Sequence, residues 1–461
     1  MTSVADSIEQ RSSPPSPKAN PLFGTVSRLR RDPLGCLQEF VDEAGPAAKY
    51  RFFAGFWGYL FVHPDHNQYI LQDNYKNFTK LPNPTFLVLY PLVGKGLISN
   101  DGESWLRQRR LAQPAFHRGQ IQKMAQIMTT AAERRFSRWD QAARARKIVA
   151  FDREMMAMTL EIAGRTLFSV DLTGEARGVG DAFGRLNKLF VKLAVSPISL
   201  YTMRVPFWPS TRRLTRDIGE LDRLIYSMII QRRASGTPGN DLMGMLLSAR
   251  DEDTGEGMDE KQLRDEVITL LLAGHETTTL LLTWFFYCLG RHPEIEAQVQ
   301  DEVDRALNGR LPTFEDIPKL VYTRQVIDET MRLYPPAYAL SRWGNEADII
   351  GGYATSANAV IALCPFITHR LPEHWSNPLE FDPERFNAAN KSNRHRFAYI
   401  PFGAGPRQCI GEGFALTEST LVAAAIAQRF RLRIPDGYVA QLDPQITLHP
   451  KGGMPLQFEL R

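Results

Sequence analysis

The sequence predicts a mainly α-helical fold with minor β sheet, and three observations carry that prediction. From about Gly102 to Leu333 apolar residues recur at i, i+3 and i+4, with Gly or Pro marking the breaks, which is the pattern of packed amphipathic helices. Within that region Val267 to Leu289 is apolar on every side, as the central helix of a large globular protein must be. Strand-like runs lie outside it, at Lys49 to Phe53, Tyr59 to His63, Ala339 to Trp343, Ala359 to Leu363 and near the C-terminus.

Taken in chain order, the first 20 residues contain no apolar stretch and are neither a signal peptide nor an anchor, and Ser12 to Pro17 reads as a flexible tail. Asp32-Pro33 opens a helix, with a capping side chain and a proline at the first turn, and Gly45-Pro46 closes it. The two aromatic runs that follow, broken by Gly55 and Gly58, form a hairpin. Leu81 to Asn100 and Ser196 to Ser210 are apolar, contain proline and read as irregular. Nothing repeats at a fixed period and no Gly/Ser linker divides the chain. Residues 21 to 461 are therefore expected to form one domain, although length alone suggests about three.

Composition excludes several functions. A net charge of +4 is too small to imply nucleic acid, and the 7 Trp and 26 Phe are scattered rather than interleaved with basic runs. The mild positive excess leaves room for an acidic protein partner at one face. Val267 to Leu289 is long enough to span a bilayer. However, His275, Glu276 and three threonines at its centre would be expensive in lipid, so no membrane anchor is expected. Gly178-Val-Gly180-Asp-Ala-Phe-Gly184 has the wrong spacing for a dinucleotide fingerprint and follows no strand, so it reads as a loop entering a helix. The four cysteines, Cys36, Cys288, Cys364 and Cys409, include no CxxC pair, which disfavours a zinc ribbon or a thioredoxin-like site. Their scatter fits a reducing, cytoplasmic setting, with three of them serving as small buried hydrophobes.

Cys409 has a different setting. Phe402-Gly-Ala-Gly405-Pro-Arg407-Gln-Cys409-Ile-Gly411 precedes a helical run from Glu412 to Phe430. The glycines allow a sharp turn and a close backbone approach to a flat macrocycle. A cysteine just before a helix N-terminus gains from free N–H groups and the dipole, which favour a thiolate, and Arg407 adds a positive charge. Such a sulfur on haem iron favours heterolytic O–O cleavage.

These residues resemble the signature of the cytochrome P450 family, and the family's other motifs follow in order. Glu329-Thr-Met-Arg332 matches ExxR, and Pro383-Glu-Arg385-Phe386 follows it; the resemblance implies that Glu329, Arg332 and Arg385 form a buried charge network that holds the cysteine loop. Ala273-Gly-His275-Glu276-Thr277-Thr matches the oxygen-activating stretch. There Glu276 and Thr277 are the implied acid–alcohol pair that delivers protons, and Ala273 is small enough to leave room for oxygen. His275 stands at the motif's variable position and is not expected to be a second ligand. Trp105 and Arg109 match WxxxR and, with Arg342 and Arg407, are implied to meet the haem propionates, while Phe402, Cys409 and Gly411 belong to the haem loop.

The resemblance implies haem b between the long central helix and the cysteine loop with its following helix, and Cys409 as the iron ligand. It implies a cytoplasmic monomer that inserts one atom of dioxygen into a hydrophobic substrate by hydroxylation or epoxidation. Electrons would come from a separate ferredoxin or flavodoxin with its reductase, docked near Arg107, Arg110 and Lys123, since no flavin or nicotinamide site is visible. A peroxide-driven peroxygenase or an isomerase ranks second, and a haem-based sensor third. The substrate pocket is expected at Phe86, Leu87, Leu89, Tyr90, Val191 to Tyr201, Leu272, Ala273 and Ala337 to Leu340. Those linings suit fatty acids, terpenoids, steroids or macrolides.

Overall fold

The helix ends show why this sequence folds as it does. In the computed structural model, which describes residues 11–19, 24–53, 56–174, 176–194, 196, 199–236, 239, 241–250 and 255–461, Asp32 caps helix α1 (Pro33–Ala44) by accepting the Gly35 N–H at 2.9 Å. Gly45 ends the helix at φ +79°, a backbone conformation that glycine adopts without strain. Strands β1 (Ala47–Phe53) and β2 (Phe56–Phe61) pair antiparallel, with Ala47 opposite Phe61, so the second strand begins earlier than the sequence suggests. They join β3 (Phe78–Thr79), β4 (Leu340–Gly344) and β5 (Ala359–Leu363) in a sheet ordered β1-β2-β5-β4-β3.

Two expectations about loops are corrected. Ser12 to Lys18 is not a free tail: the Lys49 N–H donates to Pro15 O at 2.9 Å, the Ala354 N–H to Ser12 O at 3.1 Å, and Pro14 and Pro17 are buried. Proline lacks an N–H, but its carbonyl still accepts one, and that is enough to dock a strand edge. Within Leu81 to Asn100 the chain forms helix α2 (Pro84–Val93), with Asn83 accepting the Thr85 N–H at 3.0 Å and Pro84 at the first helical position. Ser196 to Ser210 holds one short helical turn, Ser199–Thr202, while Pro197 and Ile198 lie outside the described residues.

Helices then dominate, as the periodicity predicts: α3 (Gly102–Ala112), α4 (Arg118–Arg144), α5 (Phe151–Leu167), α6 (Ala176–Ala194), α7 (Pro209–Ala234), α8 (Glu260–Arg291) and α9 (Val321–Leu333). Gly178, Gly180 and Gly184 lie inside α6 rather than in a loop before it. Among the described residues α8 is the one helix long and apolar enough to cross a membrane, and 78% of its apolar window is buried inside the fold. Its all-round hydrophobicity is therefore spent on protein neighbours, chiefly α5. Trp284 on α8 stacks on Tyr334 at 4.3 Å, and its indole N–H donates to Leu448 O at 3.0 Å. That bond anchors a C-terminal hairpin, β6 (Leu442–Pro444) and β7 (Leu448–Pro450), against α8 after helix α10 (Glu412–Arg429).

Candidate active site

The cysteine loop is shaped by its glycines and closed by its backbone. Gly405 sits at φ +67°, and a Cβ there would lie 1.9 Å from Leu71 O, so no other residue fits. The Cys409 N–H donates to Phe402 O at 2.9 Å, which pins the two ends of the loop together, and α10 begins after Gly411. A Cβ on Gly411 would come within 3.9 Å of the Cys409 sulfur. Burial raises the Cys409 thiol above its ordinary range, against the opposing pull of the Gly411 and Glu412 N–H groups and Arg109. A thiol that coordinates a metal cation is deprotonated outright, so a bound metal would offset that burial. The other three cysteines are buried, whereas Cys409, though deep in the fold, borders open space.

Beside this loop lies a surplus of positive charge. Arg407 pairs with Asp101, donates to Asn100 O at 2.6 Å, and stacks over Trp105 at 3.9 Å. Arg109 donates to Gln408 O at 2.8 Å. Arg342 is buried and donates only to its neighbour Ser341 O at 2.9 Å. Burial and repulsion from Arg407 push the Arg342 guanidinium down to about 10, and burial does the same to Arg407. Lys80, which the sequence did not single out, is held well below its ordinary range by burial, Arg342 and Arg407. Asp101 is the one carboxylate acting on both Lys80 and Arg342, and Arg407 already engages it. Buried cations in such excess call for further anions.

On α8, the face bearing Ala273 and Thr277 opens into space although the helix around it is buried: Ala273 is exposed, and Leu272, Gly274 and Thr277 are half-buried. The Thr277 hydroxyl donates back to Ala273 O at 2.8 Å, as residue type and spacing predict. Glu276 turns elsewhere. Its Oε1 accepts from Asn187 on α6, from Thr447 at 2.8 Å and from His449 on β7 at 3.0 Å. Burial alone would raise its carboxyl, but the His449 bond and charge outweigh burial and hold it below the ordinary range. His275 is fully buried against Phe183 and shares a hydrogen bond with Leu271 O at 2.8 Å, so it faces away from Ala273.

Glu329 and Arg332 on α9 are both fully buried and form a two-point pair at 2.7 and 2.8 Å. The remaining Arg332 N–H groups reach His369 O, Pro378 O and Glu380 O, so all five donors of the guanidinium are used. Arg385 lies 3.4 Å from Glu329, and the Asp382 N–H donates to the same carboxylate at 2.9 Å. Burial pushes the Glu329 carboxyl upward, and the two arginines and the Asp382 N–H oppose it.

The pocket residues expected from sequence divide. Phe86 and Leu89 are buried in the main core, while Tyr90, Leu272, Ala337 and Leu340 are half-buried and Ala273 is exposed. Sequence reading missed Lys80, Asn187, Thr447 and His449, and also Glu418 on α10, whose buried carboxyl is raised well above its ordinary range beside Thr278. A second cluster, His63, Glu373 and His374, brings ligand-type atoms within 4.8 Å of one another. There the His63 Nδ1 accepts the Asp65 N–H as a helix cap, which puts the ring proton on the nitrogen facing Glu373. A surface cleft lined by Arg107, Arg232, Arg250 and Glu256 among others shares no residue with the cysteine loop or the Glu276 group.

An open sulfur, a small-residue gap in a buried helix and a cation cluster in excess of its carboxylates are the features a haem-thiolate site requires. The surplus cations suit the two carboxylates of protoporphyrin, and the small Ala273 leaves room on the exposed face of α8. The family model for cytochrome P450 matches residues 14–456, and the chain belongs to that family. It is 37% identical over 361 residues to the cyclooctatin synthase of Streptomyces melanosporofaciens, covering 78% of this chain and 77% of that one. It is 35% identical over 422 residues to the cyclooctat-9-en-7-ol 5-monooxygenase of the same organism, covering 91% and 89%. Pentalenene oxygenase of Streptomyces avermitilis is 32% identical over 439 residues, covering 95% of each chain. The protein is a monooxygenase that binds haem b, acts on hydrophobic substrates and draws electrons from a redox partner.

Proposed function

We propose that the substrate is a terpenoid hydrocarbon or its mono-alcohol, and that the reaction is hydroxylation or epoxidation. The observation that carries this reading is the opening on α8 at Ala273, flanked by the half-buried apolar Leu272. Such a lining offers little to recognise a carboxylate or a sugar and much to bury a hydrocarbon. The names of the relatives agree, since pentalenene is an alkene and cyclooctat-9-en-7-ol an alkenol.

In this reading Cys409 binds the iron, and Trp105, Arg109, Arg342 and Arg407, joined by Lys80, hold the propionates. Phe402 and Gly411 shape the loop under the ring. Bound haem supplies dioxygen activation and insertion of one oxygen atom into a C–H or C=C bond. Thr277 and Glu276 supply the protons, Thr277 by presenting its hydroxyl beside Ala273 and Glu276 by holding an exchangeable proton. Glu329, Arg332 and Arg385 hold the loop and touch no substrate. The electron donor is an acidic ferredoxin or flavodoxin attracted to the basic face of α3 and α4, where Arg110 and Lys123 are exposed. The protein works as a cytoplasmic monomer.

A binding screen tests the substrate class. Pentalenene, myristic acid and a macrolide are titrated against the ferric protein and followed in the Soret band. The reading expects pentalenene to displace the iron-bound water at the lowest concentration. Tighter displacement by the fatty acid or the macrolide would contradict it.

A further inference from the structure

Three side chains converge on one oxygen of Glu276, and only one of them has a second nitrogen through which a proton can enter. Asn187 and Thr447 can orient a carboxylate, but neither carries a net proton. Histidine does both. Position separates them as well. Glu276, Asn187 and Thr447 are 4%, 3% and 8% exposed, whereas the His449 side chain is 17% exposed and is the most accessible member of the group. Among the described residues no lysine or arginine pairs with Glu276, so the ionisable partner of this buried acid is the His449 imidazole.

We infer that His449 is the proton-entry residue behind Glu276, passing protons from solvent to Oε1 of that carboxylate. The inference rests on reading Glu276 as the acid of the acid–alcohol pair. The acceptor being a carboxylate, the neutral ring donates its Nε2–H to it. A solvent proton adds to Nδ1 as the Nε2 proton crosses to Oε1. One proton enters and one crosses, leaving a neutral ring protonated at Nδ1 and a neutral carboxyl. When Glu276 passes its proton onward the carboxylate is restored, and a turn of the ring brings the remaining N–H back to face it. The Thr447 hydroxyl, 3.0 Å from the same ring nitrogen and 2.8 Å from Oε1, keeps donor and acceptor in line.

The surroundings suit that task. From α8 the ring faces Glu276, with His275 beside it kept neutral by burial. From the hairpin it faces Asp443, its cross-strand partner, which Gln445 holds at 2.7 Å. From α6 comes the uncharged Asn187. The short hairpin is tied to the core by the Trp284 bond to Leu448 and by the Leu448 N–H to Pro336 O at 3.0 Å, so the ring is carried on fixed backbone.

The haem-loaded protein is compared with Glu276→Gln, His449→Gln and His449→Leu variants. Glutamine retains an N–H donor but offers no route through its side chain. Two readouts are taken. One is the pH at which the protonated-carboxyl stretch of Glu276 appears in the infrared, assigned by its absence in Glu276→Gln. The other is the rate and D2O effect of NADPH-driven oxygen uptake with ferredoxin, its reductase and pentalenene as the probe, scored whether or not the probe is oxidised. The inference expects the infrared band to appear at higher pH in both His449 variants. It expects oxygen uptake to slow on the order of tenfold in both, with a larger D2O effect and an unchanged KM. A His449→Gln protein that matches the parent in rate and D2O effect, while His449→Leu is slow, would reduce His449 to a clamp and overturn the inference. So would parental behaviour in every His449 variant with Glu276→Gln impaired. Parental behaviour in Glu276→Gln would instead remove the reading of Glu276 on which the inference stands.

Discussion

Two buried carboxylates, Glu329 and Glu276, are each gripped by three residues, yet they are built for opposite ends. Glu329 is paired with arginines, which cannot lose their charge in a protein, and all five donors of Arg332 are satisfied. Glu276 is paired with a partly exposed imidazole, whose two ring nitrogens can take up a proton on one side and give one on the other. The first arrangement can only hold; the second can hold and release. The comparison teaches that the partner of a buried acid, more than its depth, decides whether it serves as a brace or a relay.

The sharpest way to break the comparison is at Arg332. Replacing it with alanine strands Glu329 without its fork, and loss of one partner of a buried pair costs about 3–5 kcal/mol. Urea unfolding should show that loss, and little protein should retain haem. Arg332→Lys should recover only part of it, because an ammonium cannot reproduce the two-point pair. A fully stable Arg332→Ala protein would mean the network is not a brace.

A smaller effect, of opposite sign in two states, is expected at Arg342. Arg342→Met removes a buried cation repelled by Arg407, so the haem-free protein should gain about 1 kcal/mol while haem is bound more weakly. Equal stability changes with and without haem would show that the cation cluster does not face the propionates.

The smallest effect sharpens the Glu276 side through pH. Its carboxyl is held below the ordinary range, so the stability it contributes is present above that range and is lost as pH falls through its folded value. The stability gap between the parent and Glu276→Gln should be about 1 kcal/mol at neutral pH and should close on acidification. A gap that widens in acid would reverse the sign assigned here.

How much of this was legible in the sequence follows the same division. The cysteine loop and the ExxR pair could be read because each is local: the glycine spacing fixes a turn, and residues three apart share a helix face. His449 and Thr447 could not be read, because they meet Glu276 across 173 and 171 residues through a hairpin that no short-range pattern announces. Asn187 was hidden for the same reason, 89 residues away on α6. Lys80 carries no local signal, since only the fold brings Arg342 and Arg407 beside it. The Pro-rich N-terminal stretch and the Pro-containing α2 misled for a different reason. Proline was read as a breaker, whereas at a strand edge or a first helical turn it is compatible with order.

The central claim is that Cys409 places a thiolate on haem iron. The ferrous carbon monoxide spectrum tests it most directly, taken on the parent protein and on Cys409→His. The parent should give the red-shifted Soret maximum of thiolate ligation, and the variant should move to the position of imidazole ligation. A parent spectrum already at the imidazole position, or one that Cys409→His leaves unchanged, would contradict the account.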